Sequence, residues 1–204
     1  MATDMETLLR YLLPVYLLAY LAFAFFWRSF LIWKRTGVNP YVLGKTDNAH
    51  DYVGRLFRLT MAAIIAAVII NAVSNQAYRY LTPIFWLEQK ALLYAGILLL
   101  AASFIWTLLA QAQMGNSWRI GIDADNRTPL VTQGIFGISR NPIFLGMRVT
   151  LLGFFLILPN AVTFATLLLG DALMQIQVRL EEEYLRQTHG EEYQKYCQKT
   201  RRWL

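Results

Sequence analysis

Five apolar windows, at about Tyr11–Trp27, Leu59–Val73, Ala91–Leu109, Ile143–Leu158 and Ala161–Ile176, narrow the folds open to this chain more than any other feature. A helix crossing a bilayer needs roughly 20 mainly apolar residues, because lipid offers no partner to an open backbone group. Only the third window meets that length alone; the others reach it with polar ends, tilt or shelter inside a bundle. With 56% hydrophobic and 16% charged residues among 204, the composition is that of one membrane domain. The expected architecture is an all-α integral membrane bundle of about five transmembrane helices. Asp4 and Glu6 precede the first window, where a secretory leader is basic. Ala22-Phe23-Ala24 therefore reads as helix interior and not as a cleavage site.

Lys and Arg between the windows set an orientation, since they gather on the cytoplasmic side. The first connection carries six: Arg28, Lys34, Arg35, Lys45, Arg55 and Arg58. The second carries Arg79 and Lys90, and the third carries Arg119, Arg127, Arg140 and Arg148. Pro159-Asn160 carries none, and the tail carries Arg179, Arg186, Lys195, Lys199, Arg201 and Arg202. This alternation predicts N-out and C-in, in keeping with an odd number of spans. The formal charge of +6 is concentrated beside membrane segments, where anionic lipid explains it better than nucleic acid does. A lone cysteine, Cys197, excludes an internal disulfide, and His50 and His189 have no metal-ligand spacing. No glycine pattern of a soluble dinucleotide fold or P-loop is present.

Two connecting stretches have their own character. Arg28–Arg58, aromatic and basic and then Thr46-Asp-Asn-Ala-His50-Asp51, is long for a bundle loop and is expected on the membrane surface. Leu81–Leu87 contains Pro83 and is too short to span, which suits an interfacial or re-entrant segment on the outer side. Asp171 stands inside the last window, where an acid is a functional candidate or is bonded to Thr, Gln or Asn in the bundle.

Pro159-Asn160 breaks an apolar run of more than thirty residues and predicts a tight turn between antiparallel helices. Measured from that turn at 1.5 Å per residue, the arms to Pro142 and to Glu181 reach about 26 and 32 Å. Arg140-Asn141-Pro142 and Glu181-Glu182 are thus expected at one level. Pro142 suits a first helical turn, leaving open N–H groups around Ser139-Arg140-Asn141 that can meet a carboxylate or phosphate. Arg140 adds a forked donor, and Glu181 and Glu182 can meet an ammonium. A zwitterionic amino-acid moiety fits between them. Gly134, Gly137 and Gly146 permit close backbone approach, and Phe136 and Phe144 offer faces to a flat ring. A solvated helix surface, with Glu182 and Arg186 paired at i,i+4, is the plainer alternative for the glutamates.

Three blocks in this half of the chain stand in a specific order: Leu130-Val-Thr-Gln-Gly-Ile-Phe136, Arg140-Asn-Pro-Ile-Phe-Leu-Gly146, and Glu181-Glu182-x-x-Leu185-x-x-x-x-Gly190-x-x-Tyr193. They resemble the membrane methyltransferases typified by isoprenylcysteine carboxyl methyltransferase, with the related phospholipid methyltransferases. The resemblance covers roughly residues 113–204, and residues 1–112 contribute amino-terminal helices. It implies a carboxy-terminal helix hairpin and a cytosolic pocket for S-adenosylmethionine. Thr128, Pro129, Leu130, Val131 and Phe136 would line the cofactor, with Gly134 in the same block. Asn141, Pro142 and Phe144 would hold its methionine and adenosine parts, and Glu181 would take its ammonium. Arg140 and Glu182 are the expected catalytic pair. Asn141 and Phe144 stand where the prenylcysteine enzymes usually have His and Tyr, and Gln177 stands where they have a substrate-binding Arg. The resemblance therefore implies methyl transfer to a lipophilic or small-molecule acceptor among membrane lipid, with prenylcysteine disfavoured. An NADPH-dependent membrane reductase of the sterol reductase type, or a non-catalytic membrane assembly protein, are the competing expectations.

Overall fold

The computed structural model describes residues 4–42, 48–121 and 128–204, and its regular structure there is helical with isolated bridges. Lys45, Thr46, Asp47 and Arg127, which entered the reading above, lie outside the described residues. Among the described residues, four helices are long and apolar enough to cross a membrane, and a fifth, shorter apolar helix packs among them. The fold is an all-α membrane bundle.

The first window forms α1 (Asp4–Tyr20), which passes through a π-helical segment (Leu21–Trp27) straight into α2 (Arg28–Thr36). Nothing in Arg28–Thr36 breaks a helix, and Gly37 stops it in the left-handed conformation at φ 70°. The second window lies in α3 (Ala49–Val73), whose start is capped by the Asn48 side chain accepting from the Asp51 N–H at 2.8 Å. Arg28–Arg58 is therefore not one long loop: helix occupies both its ends, as α2 to Thr36 and α3 from Ala49. Lys34 and Arg35 thereby sit in the last turn of a helix, where cations oppose the helix dipole favourably.

A short helix α4 (Asn75–Tyr78) and two 3-10 turns lead to α5 (Lys90–Met114). The turns hold the Leu81–Leu87 segment against the connection between α6 (Pro142–Ile157) and α7 (Ala161–Lys199). Ile84 N–H donates to Pro159 O at 2.7 Å, and Ala161 N–H to Thr82 O at 3.1 Å. Asn160 is fully buried there and caps α7 reciprocally with Thr163. Tyr80, Phe85 and Trp86 remain exposed at this end, as rings placed at a membrane–water boundary do.

Close helix contact depends on small residues, since lipid gives apolar helices no drive to associate. A Cβ on Gly96 of α5 would stand 2.9 Å from Gly153 O of α6, and one on Gly153 would stand 2.8 Å from Leu100 Cδ2. Gly146, two turns earlier, lies against Thr107 in the same interface. Thr150 Oγ1 donates across it to Ser103 Oγ at 2.9 Å. Between α6 and α7, Asp171 pairs with Arg148, not with the neutral polar groups weighed above. Gly190 interrupts α7 with φ 51° and ψ −121°, a backbone state that suits glycine alone. The turns beyond it carry Tyr193 and Tyr196, both buried, and Tyr196 reaches Phe136 in the segment before α6.

Candidate functional site

Glu181 and Glu182 are adjacent, yet the helix sends them to different surroundings. Glu182 is buried and its carboxylate accepts from Arg140 Nη2 at 3.1 Å, Asn141 Nδ2 at 3.2 Å and Arg202 Nη2 at 2.8 Å. Arg140 is further held by donating Nη1 to Thr200 O at 2.8 Å, while its backbone N–H donates to Arg201 O. Ser139 Oγ donates to Arg202 O, and the Arg148 guanidinium lies 4.4 Å from the Trp203 ring centre. The segment Thr200–Trp203 is thereby tied to the loop before α6 and, through Arg148, to α6 itself. Its hydrogen bonds to Glu182 raise the Arg202 guanidinium above its ordinary pKa.

Glu181 borders two adjoining cavities. The smaller, of 150 Å³, is also lined by Thr128, Pro129, Leu130, Val131, Phe136 and Arg140. The larger, of 310 Å³, is mainly apolar and reaches from α1 and the π-helical segment across α3, α5, α6 and α7. Met114, Arg119, Gly121 and Glu181 line both and so mark their junction. Phe144 lines the larger cavity, not the smaller. Gly134, Asn141, Pro142 and Glu182 line neither. Gly134 adopts φ 63° and lies close to Gln113, whose Oε1 accepts from the Ile135 N–H at 2.8 Å. Pro142 O accepts from Trp106 Nε1 at 2.8 Å, which holds the start of α6 to α5.

Tyr184, Thr188 and Tyr196 line the smaller cavity and escaped the reading of the sequence, which names Leu185 and Gln177 only through the family resemblance. Tyr184, Leu185 and Thr188 border the smaller cavity at three, four and seven residues beyond Glu181, the spacing of one helix face. That periodicity was available in the sequence. Tyr196 was not legible in this way, because the break at Gly190 sets its direction; its hydroxyl donates to Phe136 O at 2.6 Å and fixes the ring opposite. Gln177, one turn before Glu181, donates from its amide nitrogen to Glu181 Oε1 at 3.2 Å and to His50 Nδ1. No spacing rule connects His50 to a residue more than a hundred positions away.

The chemistry on offer is a carboxylate at a junction, a guanidinium beside it and aromatic rings around a small space, opening on a wider apolar one. No curated protein matches the chain. Residues 91–192, half of the chain, match the family model for phospholipid methyltransferase. This match begins with α5 and ends past Gly190, and so takes in both helices that flank the loop at Arg140 and the whole of the junction's α7 side. The chain belongs to the phospholipid methyltransferase family.

Proposed function

We propose that this chain is an S-adenosylmethionine-dependent membrane methyltransferase, related in mechanism to the isoprenylcysteine carboxyl methyltransferase-like enzymes, and that it methylates a lipophilic or small acceptor. The observation that carries this reading is the position of Glu181, at the junction of a small cavity that has charged and hydroxyl-bearing side chains in its wall and a larger, mainly apolar one. The family match supports methyl transfer, and two adjoining cavities of different lining would give a donor and an acceptor separate spaces.

The residues of the smaller cavity fit the donor. Glu181 offers a carboxylate to its ammonium, and Arg140 offers a guanidinium to its carboxylate. Phe136, Tyr184 and Tyr196 supply ring faces for its base. When bound, the donor supplies an electrophilic methyl group on a sulfonium. Everything else falls to the protein, which aligns the two reactants and excludes water from the junction. Glu182 acts through Arg140: it neutralises and orients the guanidinium while lining no cavity itself. Arg140 and Arg202 share this one carboxylate, which leaves a net positive charge beside the small cavity for an anionic group. Asn141 and Pro142 support the loop from behind, and Gly134 lets it pass close to α5. With five membrane-crossing helices, N-out and C-in, this end of the bundle lies on the cytoplasmic side.

Calorimetry on detergent-purified protein tests the reading, with S-adenosylhomocysteine and NADPH as alternative ligands. Saturable binding of the former alone is expected. Glu181→Ala is expected to weaken it by about tenfold or more, the worth of one charge-assisted hydrogen bond. Failure of folded protein to bind S-adenosylhomocysteine, or undiminished binding by Glu181→Ala, would overturn the reading.

A further inference from the structure

His50 belongs to α3, outside residues 91–192 that match the family, yet it reaches the bond that holds Glu181. Glu182 is fixed by Arg140, Asn141 and Arg202, whereas the partner found for Glu181 among the described residues is Gln177 alone. Gln177 stands one turn earlier on α7 and donates from Nε2 to Glu181 Oε1 at 3.2 Å. The same nitrogen donates to His50 Nδ1. Gln177 and His50 are both buried, so water does not compete for these bonds. His50 is placed in turn by the first turn of α3, whose start Asn48 caps.

A carboxamide nitrogen carries two hydrogens, and here both are engaged. One goes to a carboxylate, which only accepts; the other goes to an imidazole nitrogen, which accepts only while it keeps a lone pair. The arrangement therefore requires a neutral His50 with its proton on Nε2. An imidazolium donates from both nitrogens and would set N–H against N–H. Turning the amide over offers Oε1 to the imidazolium but sets that oxygen against the Glu181 carboxylate. Either way Glu181 loses the donor that orients it. Among the described residues, the charged groups facing His50 are Asp51, buried next to it on α3, and Glu181, across the amide on α7. Resting on the methyltransferase reading above, we propose that His50 is a positioning residue for Glu181: as a neutral imidazole it holds the carboxylate, through Gln177, in place for the ammonium of the methyl donor, and on protonation it releases it. An imidazole ordinarily titrates at about pH 6.5, so the device couples donor binding to protons within the physiological range. The coupling is reciprocal: a ligand that binds only the neutral form drives the proton off His50.

The chain has two histidines, His50 and His189, so nitrogen NMR of detergent-purified protein with isotope-labelled imidazoles gives two ring systems, and the one lost in His50→Asn is that of His50. At about pH 8 the free wild-type protein is expected to show a bare Nδ1 and a protonated Nε2, with the Nδ1 signal moved by Gln177→Leu. Saturating S-adenosylhomocysteine is expected to shift the titration midpoint of His50 to lower pH. Calorimetry with the same ligand reads the consequence. His50→Asn can set an amide oxygen where Nδ1 stands, an acceptor at every pH. It is expected to match wild-type affinity at about pH 8 and to exceed it by about three- to tenfold at about pH 5.5, where an ordinary imidazole is about nine-tenths protonated. His50→Phe, without the acceptor, is expected to bind about fivefold more weakly than wild type at about pH 8, the worth of one net hydrogen bond. His189 lines the smaller cavity but is common to all three proteins and cancels from the comparison. A protonated Nδ1 at about pH 8, a midpoint unmoved by saturating ligand, or the same acid loss in wild type and His50→Asn would overturn the proposal. If His50→Asn fails to fold, His189→Gln assigns the spectrum, and the state of Nδ1 with its response to ligand decides. Absence of S-adenosylhomocysteine binding at either pH would instead strike the methyltransferase reading, while the state of Nδ1 and its response to Gln177→Leu, read without ligand, still judge the link between His50 and Gln177.

Discussion

Replacing Glu182 by alanine asks how far the end of α7 depends on one buried carboxylate. Glu182 is 3% exposed and is shared between two guanidinium groups. The Arg140 side chain is 12% exposed and would be left as an unpaired charge with little access to water, whereas that of Arg202, at 34%, can rehydrate. Breaking a buried pair from one side costs about 3–5 kcal/mol. Arg202→Ala leaves Arg140 and Glu182 paired, and after discount for exposure its cost is about 1 kcal/mol. At this chain length each kcal/mol moves an unfolding midpoint by about 2–4 °C. Glu182→Ala is thus expected to lower the midpoint by roughly 6–20 °C and Arg202→Ala by about 2–4 °C, with Glu182→Gln between them. Intrinsic fluorescence on heating the detergent-purified protein, at one scan rate, reads all three. A Glu182→Ala shift no larger than that of Arg202→Ala would refute the assignment of Glu182 as the central counter-ion.

Gly153→Ala places a methyl group against Leu100 in the α5–α6 interface and is expected to cost about 1–3 kcal/mol, seen as a lower midpoint; an unchanged midpoint would show that the helices can separate freely. Tyr196→Phe removes the 2.6 Å bond to Phe136 O, and a loss of about 1 kcal/mol with weaker S-adenosylhomocysteine binding is expected. Full ligand affinity in that variant would detach Phe136 from the ligand site.

Apolar periodicity and turn residues carried much of the architecture, because they report forces acting over a few residues. The five windows each fall on helical backbone, the fourth running one residue past the end of α6 to Leu158, and Pro142, Asn160 and Gly37 stand where helices start or stop. Length arithmetic brings Arg140 toward the glutamates, but it does not say which glutamate it meets. That choice depends on the rotation of α7, and about 100° between neighbours sends Glu182 to Arg140 and Glu181 to the cavities. The contribution of Arg202 and Trp203 depends on the backbone turning at Gly190, a conformation that glycine permits without dictating. His50 joins the site only because α3 packs on α7. Tertiary contacts of this kind leave no local mark in the residues that make them.

The orientation of the bundle has a reporter already in place. Cys197 is the only cysteine, is half-buried, and lies at the end of α7 where its carbonyl accepts from Arg140. Trp86, 75% exposed, stands at the other end of the bundle, in the segment bonded to the α6–α7 connection. The proposed N-out, C-in orientation, drawn from the alternation of Lys and Arg, would put the first position inside and the second outside. A membrane-impermeant maleimide is therefore expected to label the wild-type protein in inverted vesicles and not in spheroplasts. Trp86→Cys, made together with Cys197→Ser, is expected to react the opposite way. The two positions are separated by α5, α6 and α7, and α6 alone has 16 residues, about 24 Å of helix against a hydrocarbon core of about 30 Å. Its connection to α7 is nevertheless bonded to Thr82 and Ile84, beyond the start of α5, so α6 must traverse the depth that α5 does. Labelling of both cysteines from one side would break that chain of reasoning at α6, and labelling of each from the reverse side would invert the bundle and move the junction at Glu181 away from the cytosol.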